Sequence, residues 1–309
     1  MSAAAMLLSA LALDLAAGEL PASVHPVVWI GKTVGALERL PVRGARAQLA
    51  YGAAMVFGGL GLFVVPTTIL LDRLRSACFP AYFVLGVLLL KSTFSVRELF
   101  RAAEKVRRSL AAGRLGDARL HLRSLVSRDT SGLDEPLLAA ATVESVAENS
   151  GDSFVAPLFY YVLFGVPGAL AYRVVNTFDS MVGYHGKYEH LGKAAARLDD
   201  LANLVPARLT ALLIALASAV RGAGARQSWR AIRRYAGATE SPNAGWPMSA
   251  MAGALDVRLE KVGHYCLGDG AALPSADTIA RAKTLAVLAM ATAALLAVAA
   301  LAVKDGHST

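Results

Sequence analysis

Residues 51–71, YGAAMVFGGLGLFVVPTTILL, decide the fold, because no ionisable side chain except Tyr51 interrupts them. Roughly 20 apolar residues in helical geometry cross a hydrocarbon layer about 30 Å thick, so this stretch has the length and composition of a spanning helix. Residues 284–303, TLAVLAMATAALLAVAALAV, repeat the feature near the other end. The composition agrees: 55% of the 309 residues are hydrophobic and 17% charged, with a mean hydropathy of +0.48. Soluble domains usually carry about 25% charge.

Four further apolar stretches are less regular. Ala77–Leu90 is short, and Phe154–Tyr172 is broken by Gly165, Pro167 and Gly168. Pro206–Val220 is apolar apart from Arg208, and the run from Met1 to Leu13 ends at Asp14, so both fit re-entrant or buried core helices as well as spans. The first basic residue is Lys32; the opening run therefore lacks the n-region of a signal peptide and is expected in the mature protein. The two cysteines, Cys78 and Cys266, have neither metal-ligand spacing nor a disulfide framework. The expected fold is all-α: a polytopic integral membrane protein with a cytoplasmic helical hairpin and re-entrant segments. It forms one domain over residues 1–309, in the cell membrane with the lipid bilayer as its surroundings.

Between Lys91 and Arg128 ten basic residues face three acids, which places seven of the formal +8 in this segment. Lys and Arg excess marks the cytoplasmic side. Leu99, Ala103, Val106 and Leu110 recur at helical spacing, Ala111-Ala112-Gly113 breaks the pattern, and Asp117 restarts it through Leu122 and Val126. A helical hairpin results, and residues 91–153 form a cytoplasmic segment joining it to the acidic motif that follows. Beyond Phe94, only Phe100 interleaves with the basic residues, so anionic lipid is the expected neighbour and nucleic acid is not. The Gly165-Val166-Pro167-Gly168 break is expected to form a re-entrant hairpin returning to the cytoplasmic side, since irregular backbone survives in a bilayer where protein buries it.

The chemistry is expected in DEPLLAAATVESVAENSGD, residues 134–152. Asp134 and Glu135 before Pro136 start a helix, and Glu144 and Glu148 share a face one turn apart, with Asp152 where the helix should end. Like charges at i,i+4 repel, and no Lys or Arg lies near them in sequence; a bound Mg²⁺ would supply the missing countercharge. A plain solvated face is the competing reading. The next polar stretch adds Asn176, Asp179, Asp199, Asp200 and Asn203 among Arg173, Lys187, Arg197 and Arg208. Such mixed charges suit a phosphorylated substrate with its metal. Asp199 and Asp200 point in different directions on a helix, so one is expected at the site and the other on a neighbouring Arg. Residues 241–248, SPNAGWPM, have the turn chemistry of a fixed loop able to fold over a large flat ligand, with Trp246 expected to find an apolar partner. Gly31-Lys32-Thr33 is no P-loop, because Pro26 stands where its first glycine would be. His185 and His190 flank the polar stretch and are expected to be surface groups rather than ligands.

Read together, these motifs resemble the CbiB/CobD family over nearly the whole chain. The likeness rests on Asp14, Gly18-Glu19, His25-Pro26-Val27 and Ile30-Gly31; on Arg128-Asp129-Thr130 and Glu144-Ser145-Val146-Ala147-Glu148-Asn149; on Asn176-Thr177-Phe178-Asp179-Ser180-Met181-Val182-Gly183-Tyr184; and on Arg197-Leu198-Asp199-Asp200, Asn203, Pro206-Ala207-Arg208 and the 241–248 run. The family often has Asp-Pro-Pro where this chain reads Glu19-Leu20-Pro21. The resemblance implies adenosylcobinamide-phosphate synthase: adenosylcobyric acid is joined through its free propionate to an amino-alcohol phosphate such as (R)-1-aminopropan-2-ol phosphate, with ATP as co-substrate and Mg²⁺. It implies catalytic roles for Glu144, Glu148, Asp179 and Asp199. Metal ligands would come from Glu144, Glu148, Asp152, Asp179 and Asp200, and substrate contacts from Lys187, Arg197, Arg208, Asn176, Asn203, Asn243 and Trp246. Homo-oligomers, or association with other late cobalamin-pathway membrane enzymes, complete the expected partners. A transporter, or a non-catalytic sensory relative of the same fold, is the alternative. The acids lie mostly in polar stretches and no inverted repeat is evident, which favours the enzyme.

Overall fold

A computed structural model describes residues 2–307 apart from His185, Lys187 and Ala223. Among the described residues the regular structure is helical except for one small hairpin and an isolated bridge between Val257 and Ala272. In order come α1 (Ala3–Ala17), α2 (Pro26–Leu37), α3 (Ala45–Ala77), α4 (Phe79–Lys91), α5 (Arg97–Ala111), α6 (Leu115–Leu122) and α7 (Glu135–Ser150). A single π-helical turn, Gly151–Val155, leads to α8 (Ala156–Val182), α9 (Lys193–Val220), α10 (Ala225–Tyr235) and α11 (Gly245–Leu255). Strands β1 (Leu259–Lys261) and β2 (Tyr265–Leu267) pair antiparallel, Lys261 opposite Tyr265, before α12 (Ala276–His307). Among the described residues four stretches are long and apolar enough to cross a membrane: Ala45–Ala77, Glu135–Val182, Lys193–Val220 and Ala276–Gly306. Large apolar side chains such as Phe57, Leu62, Ile69, Leu216, Leu295 and Val303 are exposed on them. Lipid is the solvent that matches such faces.

The chain divides into two compact units. The first comprises Met1–Ser95, Ala156–Asn203 and Leu296–Thr309. Its core joins Ile30 and Val34 of α2, Met55 and Val56 of α3, Leu170, Val174 and Phe178 of α8, and Ala195 of α9. Helix α4, at 13 residues and about 20 Å, is too short to cross hydrocarbon alone. Helix α8 is not one rod. Gly165 adopts φ 69°, ψ −160°, a conformation open essentially to glycine alone. Tyr160 and Tyr172 would lie about 18 Å apart along a straight helix, yet their rings stack with centroids 5.4 Å apart. A Cβ on Gly168 would come within 2.6 Å of the Tyr160 carbonyl oxygen. The expected break at residues 165–168 is therefore a sharp turn that brings the two arms of α8 together.

The first unit also contains a charge cluster that sequence reading did not assemble. Lys91, counted above among the basic residues of the cytoplasmic segment, is fully buried at the end of α4. Its ammonium lies 2.9 Å from Asp14 of α1 and 3.1 Å from Glu19 in the α1–α2 connection. Glu19 also receives His25 Nε2 at 2.9 Å, and His25 Nδ1 accepts from the Val27 amide to cap α2. Two short apolar helices and the start of a third are thus tied at one polar node.

The second unit comprises Val96–Val155 and Leu204–Leu295. Helix α7 is its centre, buried almost continuously from Leu138 to Ala147. The α5–α6 hairpin, α11 and β1 all pack on α7, and α10 packs on α11. Hairpin spacing is as expected: Leu99, Ala103, Val106 and Leu110 are buried, and Gly113 turns the chain at φ 68°. Asp134 caps α7 by accepting from the Leu137 amide. One expectation is corrected. The helix does not stop at Gly151; it widens into the π turn that carries Asp152 and continues as α8.

The Glu19 node gives a pH dependence. Burial pushes the Glu19 carboxyl up, but hydrogen bonds from His25 and Ser95 and the Lys91 ammonium outweigh it, lowering the value from 4.5 to about 2. A carboxyl held lower in the folded than in the unfolded chain adds stability above the ordinary carboxylate range, and loses it as pH falls through the folded value. The detergent-solubilised Glu19→Gln protein should therefore melt below wild type at pH 7, with the gap narrowing between pH 4.5 and about 2. A gap that stays constant over that window would remove the node from acid stability.

Candidate active site

The residues singled out in the sequence form polar constellations within each unit. In the second unit Glu144 lies on the buried face of α7 and is 5% exposed. Its Oε2 accepts from Arg128 Nη2 at 2.9 Å. This corrects the expectation that the Glu144–Glu148 pair lacks a cation. The countercharge comes from the loop before α7, sixteen positions back in the chain, and not from a metal by necessity. The Arg128-Asp129-Thr130 motif is explained with it. Asp129 accepts from the Ser131 amide and hydroxyl to fix the turn, and the Thr130 hydroxyl donates to the Arg119 carbonyl, anchoring the loop to α6. Ser145 ties α7 to the same loop at the Leu125 carbonyl, and Asn149 bonds back to Ser145.

Glu144 Oε1 is buried without a hydrogen bond of ordinary geometry. Beside it stands the Tyr265 phenol of β2. Burial, then the Glu144 and Glu148 carboxylates, hold that phenol far above its usual range, so it is a proton donor at every physiological pH. Lys261 approaches the Tyr265 ring from β1, its ammonium 5.9 Å from the centroid. Tyr265 and Lys261 went unnoticed in the sequence because two three-residue strands give no periodic signal.

The 241–248 run is a fixed turn at residues 241–244 that leads into the first turn of α11. Ser241 Oγ accepts from the Asn243 and Ala244 amides. Trp246, expected to find an apolar partner, lies beneath the Arg208 guanidinium at 4.5 Å. Arg208 Nη1 donates to Asn243 Oδ1 at 3.1 Å. Three of the expected substrate contacts therefore meet: Arg208, Asn243 and Trp246.

The first unit gathers Asn176, Asp199 and Asn203. Asp199 accepts from Asn176 Nδ2 at 3.2 Å and from Asn203 Nδ2 at 2.9 Å, while Tyr172 donates to Asn203 Oδ1 at 3.0 Å. Arg173 donates to Asn176 Oδ1. Asp199 is thus the member of the adjacent pair built into the network. Asp179 runs along Gly183, where an added Cβ would fall 2.0 Å from its carboxylate, so the glycine makes room for the acid. Arg197 is exposed on the first turns of α9. Lys187 and His185 lie outside the described residues.

Among the described residues no three His, Cys, Asp or Glu side chains are grouped to hold a metal. Glu144, Glu148 and Asp152 belong to the second unit, and Asp179 and Asp200 to the first. Mg²⁺ seldom uses an all-protein cage; one or two carboxylates with substrate phosphates and water suffice. The unsatisfied Glu144 Oε1, with Glu148 one turn along, fits that arrangement.

The family model for the CobD/Cbib protein matches residues 7–302. The chain belongs to the CobD/Cbib family. It is similar to cobalamin biosynthesis protein CobD of Dehalococcoides mccartyi, 52% identical over 263 residues, covering 85% of each chain. The probable cobalamin biosynthesis proteins CobD of Methanothermobacter thermautotrophicus and Methanocaldococcus jannaschii are 40% and 36% identical, over 87% and 86% of this chain and 88% of each relative. No solved structure matches. The resemblance read from the motifs is thereby shown for the family.

The Arg128–Glu144 pair generates a direct test. Removing one partner of a buried ion pair strands the other, at a cost of about 3–5 kcal/mol. Arg128→Met should lower the melting temperature of the solubilised protein clearly, and the double variant with Glu144→Gln should recover most of the loss. Additive losses in the double variant would show that the two side chains do not depend on each other.

Proposed function

We propose that this CobD/Cbib chain, residues 1–309 acting as one functional domain, is the ATP-dependent ligase that joins adenosylcobyric acid to an amino-alcohol phosphate, giving adenosylcobinamide phosphate. The observation that carries the reading is the buried Glu144 carboxylate. One oxygen is held by Arg128, the other lacks an ordinary hydrogen bond, and Glu148 and a protonated Tyr265 lie beside it. A carboxylate does not react usefully with an amine. The propionate first takes the γ-phosphoryl group of ATP, releasing ADP; the amine then attacks the acyl carbon, loses a proton and expels phosphate. Glu144 and Glu148 would hold Mg²⁺ with the nucleotide, and the ion would supply positive charge for the phosphoryl oxygens. Arg128 fixes the Glu144 carboxylate, and Tyr265 donates to an oxygen that gains charge. Glu148 takes the amine proton. Arg208 reads phosphate with the guanidinium edge not bonded to Asn243, while Trp246 and Asn243 border the corrin. Asp199, oriented by Asn176 and Asn203, and Asp179, with Asp152, Asp200, Arg197 and Lys187, remain proposed contributors to metal and phosphate binding.

In the membrane, the turn at Gly165 is proposed to be re-entrant and the α5–α6 hairpin cytoplasmic, supported by the six excess positive charges between residues 92 and 128 that remain when buried Lys91 is left out.

Purified protein in detergent, given adenosylcobyric acid, ATP, Mg²⁺ and the amine phosphate, should yield the amide by mass. Glu148→Gln should keep its fold and lose about 10²–10⁴-fold in turnover, the usual range for a positioned acid or base. Arg208→Lys keeps the charge but loses the planar fork, so it should weaken the phosphorylated amine more than the free amino alcohol. No amide from wild type under these conditions would end the ligase reading. Orientation is read separately. In a background with the exposed Cys78 and Cys266 replaced by Ser, Arg101→Cys, at a position whose native side chain is 61% exposed, should react with an impermeant thiol reagent only after cells are opened. Labelling of intact cells would put the hairpin outside.

A further inference from the structure

Helix α10, ARQSWRAIRRY, has no acidic residue and carries four arginines. Ser228, Ala231 and Ile232 are buried, and the Ser228 hydroxyl donates to the Ala250 carbonyl of α11 at 2.8 Å. The helix therefore uses its own apolar side within the protein. Arg226, Trp229, Arg230, Arg233 and Arg234 line a shallow groove of about 530 Å³ on the opposite side. Arg234 pairs with Asp269 at 2.9 Å; among the described residues no carboxylate pairs with Arg226, Arg230 or Arg233. Trp229 stands among them, 48% exposed.

The position of this face relative to hydrocarbon follows from two span ends. The apolar run of α9 stops at Val220, followed by Arg221, and the apolar run of α12 starts at Thr284, preceded by Lys283 and Arg281. Arg221, Arg281, Thr284 and Leu285 line one recess of about 240 Å³, so both ends lie at the same level. Only residues 221–224 separate α9 from α10, a reach of at most about 14 Å. The arginine face is thus held at the depth where arginine meets phosphate and tryptophan meets the headgroup region.

We propose that the α10 face formed by Arg226, Trp229, Arg230 and Arg233 is a docking surface for anionic phospholipid headgroups of the surrounding bilayer. Unlike an amphipathic helix that inserts its apolar side, α10 keeps that side on α11 and presents guanidinium groups with one aromatic ring. Each basic residue near an anionic membrane surface contributes about 1 kcal/mol, so three together favour anionic over zwitterionic lipid by about a hundredfold.

The test uses the full-length protein in mild detergent, offered equal amounts of phosphatidylglycerol and phosphatidylcholine, with bound lipid read by native mass spectrometry. Wild type should retain phosphatidylglycerol selectively, and R226Q/R230Q/R233Q should lose most of that selectivity at an unchanged melting temperature. If the triple variant is unstable, R230Q alone should lose part of it. In nanodiscs with brominated phosphatidylglycerol, the quenched fluorescence component of wild type should be absent from W229F. Equal retention of the two lipids by wild type, full selectivity in the folded variants, or equal quenching in W229F would each overturn the proposal. So would tighter retention of inorganic triphosphate than of lipid by the same arginines, which would mark a site for soluble polyphosphate.

Discussion

A charge inside a helical interior has to be matched there, because moving an ion out of water costs several kcal/mol unless a partner of opposite sign comes with it. Both units are arranged around that requirement. In the first, fully buried Lys91 draws Asp14 and Glu19 to the end of α4, and His25, bound to the same Glu19, caps α2. In the second, Glu144 sits in the continuously buried stretch of α7, and the α6–α7 loop is fixed so that Arg128 reaches it. The Asp129 turn and the Thr130 tether have little meaning alone. They hold the loop where the guanidinium is needed.

The second constraint is that backbone in hydrocarbon must satisfy its own polar groups. It explains why α3 and α12 are long, regular and apolar on their outer faces. The departure from regular helix at the Gly151–Val155 π turn accords with it, since Gly151, Phe154 and Val155 are buried; at Gly165 the Tyr160 and Tyr172 rings stack across the turn while Leu163 and Phe164 are exposed. A π turn shifts the helix phase and often marks a functional site. Here it follows directly on the helix that carries Glu144 and Glu148 and itself carries Asp152.

The spans at residues 51–71 and 284–303 were legible because a run of roughly twenty apolar, uncharged positions matches the thickness of hydrocarbon and would be poorly solvated in water. The α5–α6 hairpin was legible because its buried positions keep the helical period and Gly113 turns the chain. The family was legible from long ordered motifs. What stayed hidden depended on partners distant in sequence. Lys91 looked like one more surface cation until α1 and the Glu19 connection closed over it, and the acidic pair of α7 looked uncompensated because its arginine lies in another segment. Trp246 gave a packing signal that did not foretell the Arg208 guanidinium over its ring, since an indole face accepts a cation as well as an apolar side chain. Tyr265 gave no signal at all.

These partners change what the carboxylates of α7 are able to do. Two acids at i,i+4 with nothing opposite them would attract any divalent ion and repel a nucleotide. With Arg128 on Glu144 and Lys261 beside Tyr265, the cations match the two acids in number, and an anionic phosphate chain is no longer excluded by charge. The side chains gathered there are few: Glu144, one oxygen of which has no ordinary hydrogen bond, the half-buried Glu148 carboxylate, and a phenol that remains protonated. That set holds carboxylate oxygens for a metal, in Glu148 a group able also to take a proton, and one donor for a developing oxyanion. Under the proposed reaction these are the three demands of phosphorylating a carboxylate and then letting an amine displace the phosphate, and a site designed only to hold a cation would have no use for the phenol.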